Sequence, residues 1–162
     1  MSRKGVFPLS HSLDHVGPLT RTVRDNAAVL EAISTTPVNF DSAFTNTVKG
    51  TKIGVIRSLM DQSVNPEVLS LVENAIEQLR SMGADVMDVE LPGIESIDQT
   101  GITIVLAEAS FYHREWYPKR AADYAPGTFA NIKAGFHVSA VSYLGALEKR
   151  REFTETVNEA FT

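Results

Sequence analysis

Two serines, two histidines and an aspartate fall within six consecutive positions of the 162-residue chain. They are Ser10, His11, Ser12, Asp14 and His15, the residue types of a hydrolytic serine triad. The members of a triad usually come from different elements of a fold. Neighbours on extended chain point to opposite faces, so His11 and Ser12 are poorly placed to hydrogen-bond through their side chains. We expect a structural role, and keep as an alternative a small esterase that uses Ser10 or Ser12 with His11 or His15.

The composition limits the other chemistry of the chain. Fifteen basic residues against 20 acidic ones give a net charge of −5, which disfavours a surface for nucleic acid or anionic membrane. Cysteine is absent, and the four histidines show no regular ligand spacing, so we expect neither metal nor cofactor. No apolar run approaches the ~20 residues that span a bilayer, and the first residues lack the apolar core of a signal peptide. A cytoplasmic protein is therefore expected.

The clearest element that could position side chains lies in the middle of the chain. Residues 51–58 and 84–92 are short β-branched runs, and between them Pro66 marks the first turn of a helix, with Gly83 as its stop. This order predicts a parallel β–α–β unit at about 51–92 with a right-handed crossover. The helix is expected to bury four residues against the sheet: Val68, Val72, Ile76 and Leu79.

The rest of the chain is predicted to be mainly helical. Thr22 with Asp25 resembles a capping box, and apolar residues then recur at helical spacing. Residues 34–50, rich in Thr, Ser and Asn, are predicted to form a loop, and residues 5–10 are a candidate third strand. Further helices are predicted over 97–117, 127–136 and 139–160, the last with Leu144, Leu147 and Val157 inward.

Residues 2–33, SRKGVFPLSHSLDHVGPLTRTVRDNAAVLEAI, carry a resemblance to a known family. They resemble the block that follows the nucleophile in the amidase signature family, G-x-x-P…S-L-D-x-x-G-P-x-x-R-T-V-x-D, and a weaker likeness continues along the chain. Family members are typically much longer. The resemblance implies an α/β fragment of that fold, residues 1–162 forming one partial domain with a mixed sheet flanked by helices. Eleven positions match at fixed spacing: Gly5, Pro8, Ser12, Leu13, Asp14, Gly17, Pro18, Arg21, Thr22, Val23 and Asp25.

The resemblance also implies a mechanism. The family hydrolyses amide bonds with a Ser–cis-Ser–Lys triad, and a G-G-S-S-G-G loop supplies the oxyanion hole. This sequence has no Gly-Gly pair, so no catalytic residue can be assigned. We predict a hydrolase fragment that is inactive as an isolated chain, whose intact parent acts on a small-molecule amide or ester. The alternative is a non-catalytic remnant. In either case, open strand edges and apolar helix faces favour a homo-oligomer.

Three residues are candidates for substrate binding by resemblance. Tyr112 and Trp116 lie in EASFYHREWY, which is similar to the family helix that borders the acyl site. Arg150 lies in YLGALEKRR, which fits a family Y-x-x-A-x-x-x-R pattern. Ordinary helix packing of the two aromatic residues, and an ion pair of Arg150 with Glu148 or Glu155, are the favoured structural explanations.

Two further groups of polar residues are expected to be structural. By its place in the family block, Asp14 is interpreted as a carboxylate that accepts hydrogen bonds from the backbone or Arg21 at the Gly17-Pro18 turn. His113 and His137 have no partner at a useful spacing and are expected to be surface or satisfied core histidines.

Overall fold

The structure, a computed structural model, describes residues 1–44, 47–60 and 64–161. Thr45 and Asn46, which belong to the predicted loop, lie outside the described residues. The chain divides into two compact units, residues 1–40 with 93–155 and residues 41–92 with 156–162. The helices and strands are, in chain order, α1 Val23–Ile33, β1 Lys52–Val55, α2 Pro66–Ser81, β2 Asp85–Asp88, α3 Ile94–His113, α4 Pro126–Gly135 and α5 Ala140–Glu159.

The second unit contains the predicted β–α–β unit. β1 and β2 are parallel, with Lys52 opposite Asp85 and Val55 opposite Asp88, and α2 lies between them in the chain. Asn65 caps α2 by accepting a hydrogen bond from the Glu67 N–H, and Gly83 follows the helix at φ +93°, a conformation that favours glycine. The α/β class and the parallel unit are confirmed.

The predicted buried face of α2 is wrong in part. Ile76 is buried and Leu79 half-buried, but Val72 is 43 % exposed and Val68 is also exposed. The helix turns the neighbouring Leu69 and Glu73 inward instead.

Arg57 gives a physical reason for this rotation. Its guanidinium donates to Glu73 on α2, and its Nε donates to Asp88 Oδ1, 2.9 Å away at the end of β2. The Arg57 contact thus holds the Glu73 face of the helix beside the sheet, and the apolar pattern alone does not contain that contact.

In the first unit, α3 and α4 pack closely around Ile104 and Ile132, both fully buried. The close approach depends on Gly135, where a Cβ atom would lie 2.0 Å from Leu106 O and from Ser110 Oγ. The Ser110 hydroxyl, also buried, contacts Ile132 O at 2.7 Å. Only glycine is therefore accommodated at position 135 of α4.

The starts of α1, α4 and α5 lie within one residue of their predicted positions. Thr22 Oγ1 accepts from the Asp25 N–H at 3.0 Å, and Ser139 Oγ accepts from the Ser142 N–H at 3.0 Å.

Three expectations for the first unit need correction. The third helix covers Ile94–His113 rather than 97–117, since residues 114–119 form turns. Residues 5–10 form bends and turns, not a third strand. Leu144 is 62 % exposed, because α5 directs Tyr143, Ala146 and Leu147 inward in its place. Val157, in the second unit, is half-buried.

Candidate functional site

The centre of the first unit's polar network is the carboxylate of Glu108 on α3, which is only 3 % exposed. Its Oε2 accepts from Ser10 Oγ at 2.5 Å and from the Ser12 N–H at 3.0 Å. Its Oε1 accepts from the Tyr143 hydroxyl at 2.8 Å. His11 Nδ1 also lies 3.3 Å from Oε2. One buried acid therefore joins the loop at 10–12 to α3 and α5.

These contacts set the protonation state of Glu108. Burial raises its pKa, because removal from water disfavours the charged form. The hydrogen bonds donated by Ser10, Ser12 and Tyr143 stabilise the carboxylate and together outweigh burial, which lowers the pKa from 4.5 to about 2. Burial and the same hydrogen bond raise the pKa of Tyr143, since the hydroxyl is held as a donor. Glu108 is thus an anion at neutral pH.

A second carboxylate, that of Asp14, accepts hydrogen bonds from backbone N–H groups of its own loop. Its Oδ2 accepts from the Leu9 N–H and its Oδ1 from the Ser10 N–H, each at 3.0 Å. Its own N–H donates to Ser10 O at 2.8 Å. The expected backbone hydrogen bonds are present, but they stabilise the turn at 9–14 rather than the one at Gly17-Pro18.

The hydrogen bonds of the Ser/His/Asp cluster do not link a serine to a histidine among the described residues. The Ser10 side chain is 1 % exposed and its hydroxyl donates to a carboxylate instead of a histidine. Ser12 Oγ is buried without a hydrogen-bond partner in the described part of the chain. His15 Nδ1 lies 2.6 Å from Leu13 O. Ser10 Oγ and His11 Nδ1 thus share Glu108 Oε2 as a neighbour, without a hydrogen bond from either serine hydroxyl to a histidine in the described part of the chain.

Arg150 extends the network from α5. Its Nη1 donates to Ser12 O at 3.4 Å. The favoured ion pair of Arg150 with Glu148 or Glu155 is wrong, because the neighbouring Arg151 binds both glutamates, at 2.7 and 2.6 Å. The helix rotation that directs Tyr143 inward also brings Arg150, seven residues later, to the same face.

The other two predicted substrate residues, Tyr112 and Trp116, line cavities formed with the opening loop. Tyr112 lines an open cavity of about 340 Å³ together with Arg3, His11 and His15, and its ring centroid is 6.2 Å from that of His11. Trp116 lies beside Phe7, with ring centroids 5.2 Å apart.

His113 and His137 differ in their surroundings. His113 is half-buried and satisfied, as expected of a core histidine, since its Nδ1 lies 2.8 Å from the Tyr124 hydroxyl and its ring contacts Phe7. His137 is exposed, in keeping with a surface position.

A wider cavity, of about 570 Å³, opens between α3, α4 and the start of α5. Phe111, Phe136 and Val138 provide apolar walls, and His11 and Tyr143 provide polar groups beside Glu108. Within the described residues, no group of three or more His, Cys, Asp or Glu side chains could hold a metal ion. None of the described helices combines the length and the apolar character that crossing a membrane requires.

Sequence reasoning missed the roles of Glu108 and Tyr143, although both leave a signal. Glu108 is the lone ionisable residue in the apolar and small stretch ITIVLAEAS, and a buried acid needs several donors. Tyr143, Ala146 and Arg150 lie at helical spacing on one face, and a small alanine between two polar residues is compatible with close packing of that face.

Comparison with known proteins places this chain in a family. The amidase family profile matches residues 1–162. An amidase of Pseudomonas putida is 35 % identical over 168 aligned positions, which cover 97 % of this chain and 36 % of that protein. The A subunit of glutamyl-tRNA(Gln) amidotransferase from Akkermansia muciniphila is 35 % identical over 140 positions, covering 77 % of this chain and 30 % of the subunit.

Solved structures of amidases also match this chain. A crystal structure of an amidase matches with a TM-score of 0.83 at 25 % identity, covering 94 % of this chain and 34 % of that one. A bacterial aryl acylamidase of the amidase signature family matches with a TM-score of 0.70 at 21 % identity, over 90 % of this chain and 34 % of that one, and supports the fold alone. The chain thus spans about a third of the length of these relatives. It belongs to the amidase signature family.

Proposed function

We propose that this chain forms a structural portion of an amidase-family hydrolase and does not itself hydrolyse amides or esters. The intact parent would act on an amide or ester bond of a small molecule, in keeping with the amidases among its relatives. The role of the chain would be to hold the loop at 8–14 in a fixed conformation. A cytoplasmic location is part of this proposal.

The observation that carries the proposal is the hydrogen bond from Ser10 Oγ to Glu108. A nucleophilic serine needs an adjacent base that can accept its proton and a free path to the substrate carbonyl. Glu108, with its pKa lowered to about 2, is a poor base at neutral pH. Because Ser10 is also buried, the contact is suited to holding the loop and unsuited to attack.

The predicted substrate residues enter the proposal with separate roles. Tyr112 would line the substrate side of the loop, since it shares an open cavity with His11 and His15. Trp116 would contribute an aromatic surface near the same loop through its contact with Phe7. Arg150 would act through Ser12, whose carbonyl oxygen it contacts, as a positioning residue.

An esterase and anilidase assay tests the proposal. The purified chain, with Ser10→Ala and Ser12→Ala variants as matched controls, would be incubated with p-nitrophenyl acetate and with a p-nitroanilide. We expect all three proteins to give the same rate per mole, without saturation. Saturable turnover that is lost in either alanine variant would contradict the proposal and would support the small esterase.

We further propose that the chain forms homo-oligomers, as a second candidate role. The supporting observation is the outer face of α2, on which three apolar side chains are exposed at helical spacing, Val68, Leu71 and Val72, with the exposed Met82 directly after the helix. An exposed apolar stripe of this kind is typical of an interaction surface.

Sedimentation velocity from low to high micromolar concentration tests the oligomer. We expect a dimer or larger species in the wild type and a smaller one in Leu71→Glu. Glu77→Lys is the matched control, because it changes a charge on α2 outside the apolar stripe, and it should leave association unchanged. A wild-type chain that stays monomeric throughout would contradict this second proposal.

A further inference from the structure

Four aromatic rings wall a cavity of about 340 Å³ in the first unit, and a charged pair lies at its rim. The network around Glu108 does not use this cavity. The rings come from three stretches of chain: the loop before Ser10, the end of α3, and the turn before α4. The lining consists of Phe7, His113, Trp116 and Tyr124, with Arg120 and Asp123 at the rim.

The rings are inclined to one another instead of stacked. Phe7 and Trp116 have centroids 5.2 Å apart at 50°, and Phe7 and His113 have centroids 5.4 Å apart at 69°. His113 and Tyr124 are 5.4 Å apart at 70°. The hydrogen bond between His113 Nδ1 and the Tyr124 hydroxyl holds both rings in place. The aromatic walls are therefore arranged before any ligand is present.

These rings are also less covered than rings that only fill a core. Phe7 is 54 % exposed and Trp116 is 42 % exposed. In contrast, Tyr117 and Phe129 in the same unit stack at 4.7 Å and 23°, so that each covers the face of the other. The uncovered aromatic surface at Phe7 and Trp116 is available to a partner.

We propose that this aromatic cage binds a small organic ammonium ion, such as a quaternary ammonium group. The faces of aromatic rings carry negative potential and attract cations, and cages of several rings suit ammonium groups that are too bulky to be held by hydrogen bonds. Asp123 adds a carboxylate at the rim. Its ion pair with Arg120 is exposed on both sides and contributes little, so an incoming cation can compete for it.

The chain carries its own reporter for this site, since Trp116 is its single tryptophan. Titration with choline chloride, with sodium chloride at equal concentration as the blank, should give a saturable change in tryptophan fluorescence. Phe7→Ala should weaken binding by roughly 2- to 30-fold, the range expected for one lost cation–π contact. Phe111→Ala removes a similarly exposed ring away from the cage and should leave binding unchanged.

The uncharged isostere 3,3-dimethylbutan-1-ol separates a cation site from a merely apolar one. We expect it to bind at least several-fold more weakly than choline, and we expect Asp123→Asn to weaken choline binding while it leaves the alcohol unaffected. Asp123 is exposed, so this variant tests the site even if Phe7→Ala does not fold. Equal binding of choline and the alcohol, or no saturable response to choline, would overturn the proposal. Neither result depends on hydrolysis, so the proposed function is tested separately.

Discussion

The Ser10 hydroxyl donates a 2.5 Å hydrogen bond to Glu108 although 98 positions separate the two residues in the chain. The contact fixes the N-terminal loop against α3 and turns a candidate nucleophile into a buried donor. It also explains why an acid is kept in an otherwise apolar helix face. Much of the behaviour expected of this chain follows from that one carboxylate.

Replacement of Glu108 by glutamine should destabilise the first unit. The amide keeps the volume of the side chain, but its NH₂ group would face donors, and hydrogen bonds to a charged acceptor contribute about 1.5–3 kcal/mol. We expect the free energy of unfolding to fall by about 2–3 kcal/mol in urea denaturation. Glu95→Gln, an exposed acid on the same helix, is the matched control and should cost about 1 kcal/mol or less. Equal effects of the two substitutions would argue against the buried network.

The pH dependence of stability should carry the signature of the same residue. Because folding lowers the pKa of Glu108 from 4.5 to about 2, the stabilisation is complete above pH 4.5 and is lost as the pH falls from there towards 2. The two pKa values correspond to about 3 kcal/mol. The difference between wild type and Glu108→Gln, measured by denaturation at each pH, should therefore shrink across this window. A difference that stays constant from pH 5 to pH 2 would show that Glu108 titrates normally.

Adjacent arginines on α5 should respond differently to substitution. Arg150→Gln removes a donor to Ser12 O and is expected to cost about 1 kcal/mol. Arg151→Gln breaks two ion pairs, yet these are exposed to solvent, so we expect the stability of this variant to stay close to that of the wild type. Hydrogen exchange of the Ser12–Asp14 amides should quicken in the first variant and not in the second. If Arg151→Gln loosens the loop as much, the assignment of Arg150 is wrong.

Two glycines offer a matched test of helix packing. Alanine at Gly135 would place a Cβ atom 2.0 Å from backbone and side-chain atoms of α3, so we expect a loss of about 3 kcal/mol or more, or failure to fold. Alanine at Gly145, where a Cβ atom meets nothing within 4 Å, should stabilise α5 by about 0.5–1 kcal/mol. Thermal melts of both variants give the answer. A tolerated alanine at Gly135 would contradict the close approach of α3 and α4.

Local signals predicted most elements of the fold. Thr22 marks a helix end through its side-chain hydroxyl, and Pro66 and Gly83 do so through their backbone preferences; the helices there begin or end as expected. The rotation of a helix about its axis was harder to predict. On α2 the contact between Arg57 and Glu73 lies on the side of the helix that faces the sheet, and no apolar periodicity contains that information.

Prediction of the site was limited by the same lack of long-range information. The sequence indicates that Ser10 and Asp14 are structural. The role of Asp14 could be predicted from turn chemistry alone, because its partners lie in the same loop. The partner of Ser10 lies on a distant helix, so Glu108 could be noticed only as an acid among apolar residues. The position of Arg150 depended on α5 rotating by about one residue relative to the predicted face.

We propose that the opening Ser/His/Asp cluster holds a loop in place and carries no activated nucleophile. This proposal can be tested with a fluorophosphonate, which modifies only activated serines under mild conditions, by measuring the intact mass and mapping the adducts by peptide mass spectrometry. We predict that the folded chain remains unmodified at Ser10 and Ser12, since one hydroxyl is donated to Glu108 and the other is buried. A stoichiometric adduct at either serine, lost when the protein is unfolded before labelling, would contradict the account.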